Sequence, residues 1–328
     1  MPADPYPVVP VPTRLDVEEG RGTRPKAWVR IPPENDPWLL KIPRPNTGEH
    51  WAEKIAAEIG GLIGVDCAQV ELARCPRATF ARLRQENQDT PPGQTRASLL
   101  ATVSRAFLPD ARTTTAEYAF FHGWEVLQQA VDGYDTALRF GQRDHNVKHI
   151  ATAVAQWMGV GTMNPMPLWD YAMESLVSYA LLDGIIGNTD RHHENWMIAW
   201  VHDGGDMAIE IMPSFDHASS LGRELTDDRR RQILEAGGVS RYVQRGRGGV
   251  YVGDQRRRAP SPLRLARLLC RWRPTLTRRT LDRIDRLSES DVRTAIGRVP
   301  SEFMSDISKE FACQVVLAGK RELLRGVR

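Results

Sequence analysis

The feature that most constrains this 328-residue chain is a short polar run held between two apolar ones. Gly187-Asn188-Thr189-Asp190-Arg191-His192-His193-Glu194-Asn195 follows the stretch Leu168 to Ile186. In that stretch Trp169, Met173, Leu176, Val177, Ala180 and Leu181 recur on one face of a predicted helix. After the polar run come Trp196 to Val201 and Met207 to Met212, two strand-like segments around the tight-turn signal His202-Asp203-Gly204-Gly205-Asp206. Pro213-Ser214-Phe215-Asp216-His217 follows directly. A tight hairpin returns the chain to where it began, so Asp216 is expected close to Asp190 and Asn195. Two carboxylates and an amide then converge on one point without any long-range assumption.

Upstream the pattern is different. Residues 1–19 are proline-rich at the start and read as a flexible lead-in. Lys26 to Ile31 and Pro37 to Ile42 read as two short strands joined by Pro32-Pro33-Glu34-Asn35-Asp36. A helix is expected from near Asn46, with Glu49 completing a capping box and Ala52, Ile55, Ile59 and Leu62/Ile63 at helical spacing. Val70 to Leu72 and Ser98 to Phe107 read as further strands around a polar, loop-like stretch from Gln85 to Arg96. From about Thr115 the spacing turns helical, first through Phe120, Trp124, Leu127 and Val131, then through Ile150, Val154, Trp157 and Met158. Arg241 to Pro260, rich in glycine and arginine, reads as a mobile loop. No internal repeat occurs. The expected fold is therefore α+β and two-lobed: a small β-rich lobe with one helix over residues 20–110, and a larger helical lobe over 111–328 with one inserted hairpin.

Composition excludes several alternatives. The 44 basic and 41 acidic residues nearly cancel, which argues against a uniformly basic nucleic-acid coat and an acidic disordered chain. Four cysteines without CxxC spacing (Cys67, Cys75, Cys270, Cys313) make neither a disulfide scaffold nor a zinc ribbon. The longest apolar run, Tyr179 to Gly187, is short and broken by Asp183, so no membrane span is predicted. The N-terminus lacks the basic-then-apolar order of a signal peptide. A cytoplasmic protein is expected, with export by a signal-independent route left open. The charge is unevenly distributed, however: residues 221–328 carry 25 Lys and Arg against 13 Asp and Glu. Solvated arginine faces account for such a surplus, and so does a docking surface for an acidic partner or nucleic acid.

The convergent polar residues suggest phosphoryl transfer. Magnesium favours one or two carboxylates together with phosphate oxygens and water. A carboxylate opening such a loop orients an attacking hydroxyl, while an Asn five residues on and an Asp beyond the hairpin hold the metal. A rival reading takes His192, His193 and His217 with Asp190 and Asp216 as a transition-metal hydrolase site, although no HxH or HxxxH pair occurs there. In the N-terminal part, Gly20-Arg21-Gly22-Thr23-Arg24-Pro25-Lys26 is a glycine-containing turn able to lay backbone N–H groups over phosphates. Lys41 ends a run of apolar strand residues, where a surface lysine with a buried stem is the plainer explanation. Glu53, on a helix side with Ala56, Ala57 and Gly60, favours a fixed ammonium instead; Glu49 and Glu58 compete for that partnership.

These residues resemble the HipA-type serine/threonine kinases, bacterial enzymes often encoded as toxins. The resemblance spans about residue 20 to 222 and lies in Gly187 to Asn195, Pro213 to Asp216, Arg24-Pro25-Lys26-Ala27 and Leu39-Leu40-Lys41. It implies ATP and Mg²⁺ as cofactors and a protein substrate with a Ser or Thr hydroxyl, with an aminoacyl-tRNA synthetase or another translation component as the family-based candidate. A DNA-binding antitoxin is the partner it suggests. By motif, Asp190 would be the catalytic aspartate, His192 the loop histidine, and Asn195 and Asp216 the metal ligands. Lys41 would bind phosphate, with Glu53 its partner and Gly22, Thr23 and Lys26 on the glycine turn. The strand near Val103 to Phe107, and with it Arg105, would approach the adenine. The chain departs from the family pattern in its short N-terminus, in Arg24 where Gln is usual, and in having Thr23 as the sole hydroxyl between Gly20 and Lys26. Asn188 to Trp196 also resembles the catalytic loop of phosphatidylinositol kinases. A lipid or small-molecule kinase is therefore one alternative, and a pseudokinase or nucleic-acid-binding module another.

Overall fold

Alternating apolar residues give the first part of the chain a sheet with two covered faces. The computed structural model describes residues 4–18, 24–85, 99–107, 116–159, 165–204, 206–253 and 258–327. Its first elements are Val8–Pro10 (β1), Val17–Glu18 (β2), Lys26–Ile31 (β3), Asp36–Lys41 (β4), Glu49–Leu62 (α1), Val70–Arg74 (β5), Arg77–Gln85 (α2) and Leu100–Arg105 (β6). The strands form one sheet in the order β1-β5-β6-β4-β3-β2, antiparallel except for the β1–β5 pair. Ala27, Val29, Leu40, Ala101 and Val103 pack on one face against Phe80 and Leu83 of α2. On the other face Leu72 and Leu100 meet Ile55 and Ile59 of α1, and this core runs on into the helical lobe. β6 is buried at five of its six positions, as a central strand covered on both sides should be.

The second lobe contains Glu117–His122 (β7), Gly123–Ala130 (α3), Val147–Met158 (α4), Pro165–Ile186 (α5), Met197–Asp203 (β8) and Asp206–Ile211 (β9). Helices Asp227–Glu235 (α6), Val239–Arg245 (α7), Pro262–Trp272 (α8), Pro274–Arg286 (α9), Glu289–Gly297 (α10) and Asp306–Arg325 (α11) complete it. α5 is the axis of this lobe, touching α4, α8, α9 and α11. Its buried residues, among them Ala172, Val177, Leu181, Leu182, Ile185 and Ile186, run around the helix and not along one face, because it has neighbours on several sides. Gly319 of α11 permits one of those contacts, since a Cβ there would lie 2.4 Å from the Ile185 carbonyl oxygen. All four cysteines are free. No helix among the described residues is long and apolar enough to cross a membrane.

Several expectations are corrected. Residues 4–18 of the expected flexible lead-in are built into the fold: β1 pairs with β5, and Tyr6 is buried between the Lys54 ammonium and the Arg298 guanidinium, 4.6 and 4.2 Å from its ring centre. Pro10 is tolerated because β1 is an edge strand. The first lobe has a second helix, α2, where one was expected. The stretch Gln85 to Arg96 lies outside the described residues, apart from Gln85 itself. Asn46 does not cap α1; it adopts a left-handed φ of 56°, and the helix begins at Glu49 behind Gly48. Gly60 faces Cys67 and Leu182, not the sheet. Helical spacing from Thr115 misread β7, because Phe120 belongs to a strand paired with β8 and the helix starts only at Gly123. The hairpin is thus part of a three-stranded sheet, β7-β8-β9. Arg241 to Pro260, of which residues 254–257 lie outside the described ones, includes most of α7 and a packed segment: Tyr251 is buried and bridges Asn146, and a Cβ on Gly249 would lie 2.6 Å from the Arg191 carbonyl oxygen. Gly249 thus lets the segment lie against the loop that follows α5.

Candidate active site

The loop after α5 takes its shape from a buried acid. Asp183 interrupts an apolar helix, and a carboxylate there needs cations and donors to be tolerated. Arg191 supplies them as a two-point pair, Nε and Nη2 lying 2.8 and 2.9 Å from the two Asp183 oxygens, and Asn188 Nδ2 adds a bond of 2.8 Å. The same guanidinium donates to the Asn195 carbonyl (2.6 Å), the Phe215 carbonyl (3.2 Å) and Ser214 Oγ (2.8 Å). One side chain therefore ties the end of α5, the far end of the loop and the return segment after β9. Gly187 makes the exit from α5 possible with φ +68°, and the Asn188 N–H closes back on the Asp183 carbonyl at 3.0 Å.

Within this frame, Asp190 faces a cavity of about 590 Å³ between the lobes. Burial, and then the neighbouring Asp216 carboxylate, push its carboxyl up to about 6. Asn195 Nδ2 donates to the Asp190 carbonyl at 2.6 Å, which fixes the amide and leaves Oδ1 as its acceptor. The Glu194 N–H donates to His192 Nδ1 at 3.2 Å, so the ring proton sits on Nε2, 3.7 Å from Asp190 Oδ1. Burial, reinforced by Arg139, lowers His192 to about 3, so it is a neutral ring beside Asp190.

Asp216 enters the cavity from the other side, at a left-handed φ of 57° that Asp tolerates better than most residues. Its Oδ1 is ion-paired to Arg24 Nη2 and lies 3.5 Å from Lys41 Nζ. Burial alone would raise this carboxyl, but Arg24, Lys41 and Lys26 together outweigh it and hold Asp216 well below the usual carboxylate range. Lys41 Nζ is 3.3 Å from Glu53 Oε1, which also accepts the His217 N–H at 3.2 Å. The competing acids are engaged elsewhere: Glu58 pairs with Lys54, and Glu49 with Arg44 and Arg223.

Asp190, His192, Asn195, Asp216, Lys26, Lys41 and Arg105 all line the one cavity, while Glu53 is fully buried behind Lys41. Gly22 and Thr23 lie outside the described residues. Arg105 stands at the far end, ion-paired to Asp36, with Nη1 3.5 Å from Gln69 Oε1. Trp28, Leu39, Phe107, Phe120 and Met197 give the cavity apolar walls. The hydrolase reading of the histidines is not supported by their contacts. His193 Nδ1 is bonded to Tyr134 and His217 Nε2 to Ser214, and no group of three or more His, Cys, Asp or Glu among the described residues is arranged to hold a metal. Sequence reasoning missed the structural part of Arg191 and Asp183 and the contact of Arg24 with Asp216. An acid inside an apolar helix, eight residues before an arginine in a polar run, was the available signal for the first pair.

The donor set suits a nucleotide and a divalent cation. A hard-oxygen pair, Asp216 and Asn195 Oδ1, faces a cavity of nucleotide size, with the Lys41 ammonium beside it held by Glu53. No protein-family model matches the chain, and neither does any curated protein. Among solved structures, the proinflammatory kinase CtkA of Helicobacter pylori is similar with a TM-score of 0.68 at 17% identity, covering 98% of this chain and 97% of that one. HipA of Shewanella oneidensis MR-1, from a toxin–antitoxin complex with HipB and operator DNA, gives 0.53 at 12% identity over 92% of this chain and 64% of that one. This chain has the two-lobed fold of the HipA-like kinases, a small sheet-rich lobe joined to a larger helical one.

Proposed function

We propose that the chain is an ATP- and Mg²⁺-dependent kinase that transfers the γ-phosphoryl group to a Ser or Thr hydroxyl of a protein. One observation carries this reading: Lys41, held by Glu53, and Asp216 meet on one side of the cavity whose other side presents Asp190 and Asn195. Asp190 orients the acceptor hydroxyl and takes its proton as the oxygen attacks phosphorus, a role suited to a carboxyl raised toward neutrality. Lys41 and Lys26 steady the phosphates, and the apolar walls receive the base. Asp216 and Asn195 hold the divalent cation, which when bound neutralises charge on the phosphate oxygens. Glu53 and His192 are positioning residues, the first through Lys41 and the second through the loop.

The same reading makes the chain a bacterial cytoplasmic toxin-type kinase that acts on a translation component and is countered by an antitoxin. What supports that part is the likeness to HipA and the basic C-terminal third. The test is incubation with labelled ATP and Mg²⁺ in host lysate, alongside vesicles containing phosphatidylinositol. Label on protein Ser or Thr that Asp190→Ala reduces by about 10²–10⁴-fold is expected. Label confined to lipid would replace the acceptor assignment, and an equally active Asp190→Ala would end the catalytic one. Expression of the wild type is expected to arrest growth, and Asp190→Ala to relieve the arrest.

A further inference from the structure

The charges around Asp216 do not match a site left ready for a cation. Two cationic groups share its Oδ1: the Arg24 guanidinium, which is ion-paired to it, and the Lys41 ammonium at 3.5 Å. They are anchored differently. Lys41 is held from behind by Glu53 at 3.3 Å, whereas the second contact of Arg24, to Glu53 Oε2, is stretched to 4.0 Å. The backbone next to Arg24 is fixed, because the Pro25 carbonyl accepts the Ile42 N–H at 2.9 Å. Of the two, Arg24 has the weaker second anchor, and its side chain lines the cavity.

We propose that Arg24 is the resident counter-ion of Asp216, and that a divalent cation binding there competes with it for the carboxylate. This deepens the kinase reading and rests on its assignment of Asp216 as a metal ligand. A carboxylate oxygen accepting a guanidinium N–H cannot give the same lone pair to a metal, and the added positive charge next to Arg24 and Lys41 is repelled. With the cation absent, the pair keeps a carboxylate beside buried Glu53 neutralised and ties β3 to the segment after β9. With the cation present, the released guanidinium remains in the cavity as a planar donor for phosphate oxygens. Arg24 thereby sets the concentration of free cation at which the site fills.

The experiment is Mn²⁺ binding to the full chain without nucleotide, followed by calorimetry or electron paramagnetic resonance. Arg24→Gln, which removes the charge and keeps a polar stem, is expected to bind Mn²⁺ at least about tenfold more tightly than the wild type, since a charge-assisted bond no longer opposes entry. Unchanged or weaker binding overturns the proposal. Asp216→Asn separates this from failure of the underlying reading. If Asp216→Asn loses Mn²⁺ while Arg24→Gln gains nothing, only the counter-ion role falls; if Asp216→Asn binds as the wild type does, the metal assignment falls with it. Should Arg24→Gln prove unfolded by circular dichroism, Arg24→Lys takes its place. The ammonium lacks the planar fork, so tightening by about threefold is expected and none overturns the proposal.

Discussion

The two walls of the cavity are held in different ways. On the helical side, the loop from Asp183 to Asn195 is braced internally, with Arg191 bonding to Asp183, Asn195, Ser214 and Phe215 inside a single lobe. On the sheet side, Arg24, Lys41 and Glu53 find partners in the other lobe: Asp216 for the first two and the His217 N–H for the third. The first wall has its arginine contacts within one lobe, although Ser214 also bonds the Asp66 carbonyl of the other. The second combines a pair of its own, Lys41 with Glu53, with contacts to Asp216 and His217 that exist only while the lobes meet.

Breaking the brace is the severest way to test that contrast. Arg191→Ala leaves Asp183 buried and uncompensated, and a loss of about 3–5 kcal/mol in unfolding free energy is expected by urea titration. A loss below about 1 kcal/mol would mean that the loop does not depend on its arginine. The sheet-side wall should respond the opposite way. Lys41→Met is expected to lower transfer by about 10²–10³-fold while the thermal midpoint falls less than in Arg191→Ala, because buried Glu53 keeps the His217 N–H and has Arg24 at 4.0 Å. A Lys41→Met protein that unfolds as readily as Arg191→Ala would show both walls to be structural.

Acid provides a smaller effect on each side. His145 accepts from Trp196 Nε1 at 3.1 Å behind the loop, and His50 bonds the Phe303 carbonyl at 3.2 Å from α1. Burial lowers both from 6.5 to about 4. The unfolded chain binds more protons than the folded one between those values, so the stability is fully present above about pH 6.5 and is lost as pH falls toward 4. A decline of about 2–3 kcal/mol per histidine is expected over that window. His145→Gln should flatten part of it, and a stability unchanged between pH 7 and about pH 4.5 would show that neither ring is held neutral.

Much of this could be read from the residues in order. Lys26 to Ile31 emerged as a strand with the same bounds, because apolar alternation and flanking turn residues are local signals. The hairpin and the proximity of Asp216 to Asp190 followed from a short turn, which allows one geometry. β7 did not, since an aromatic run before a helix satisfies either period and only its pairing with β8 decides. Nor did the burial of Tyr6 and the pairing of β1, because these depend on Lys54, Arg298 and β5, which are distant in number.

By itself, then, the sequence determined which polar groups had to sit together: those separated by a loop and a hairpin, where chain connectivity leaves little freedom. Only the tertiary structure decided that Arg191 is a brace, that Glu53 and not Glu49 or Glu58 faces Lys41, and that Arg24 lies on Asp216. Those pairings join residues from different elements. Their strength comes from exclusion of water, which no stretch of sequence contains until the lobes have packed.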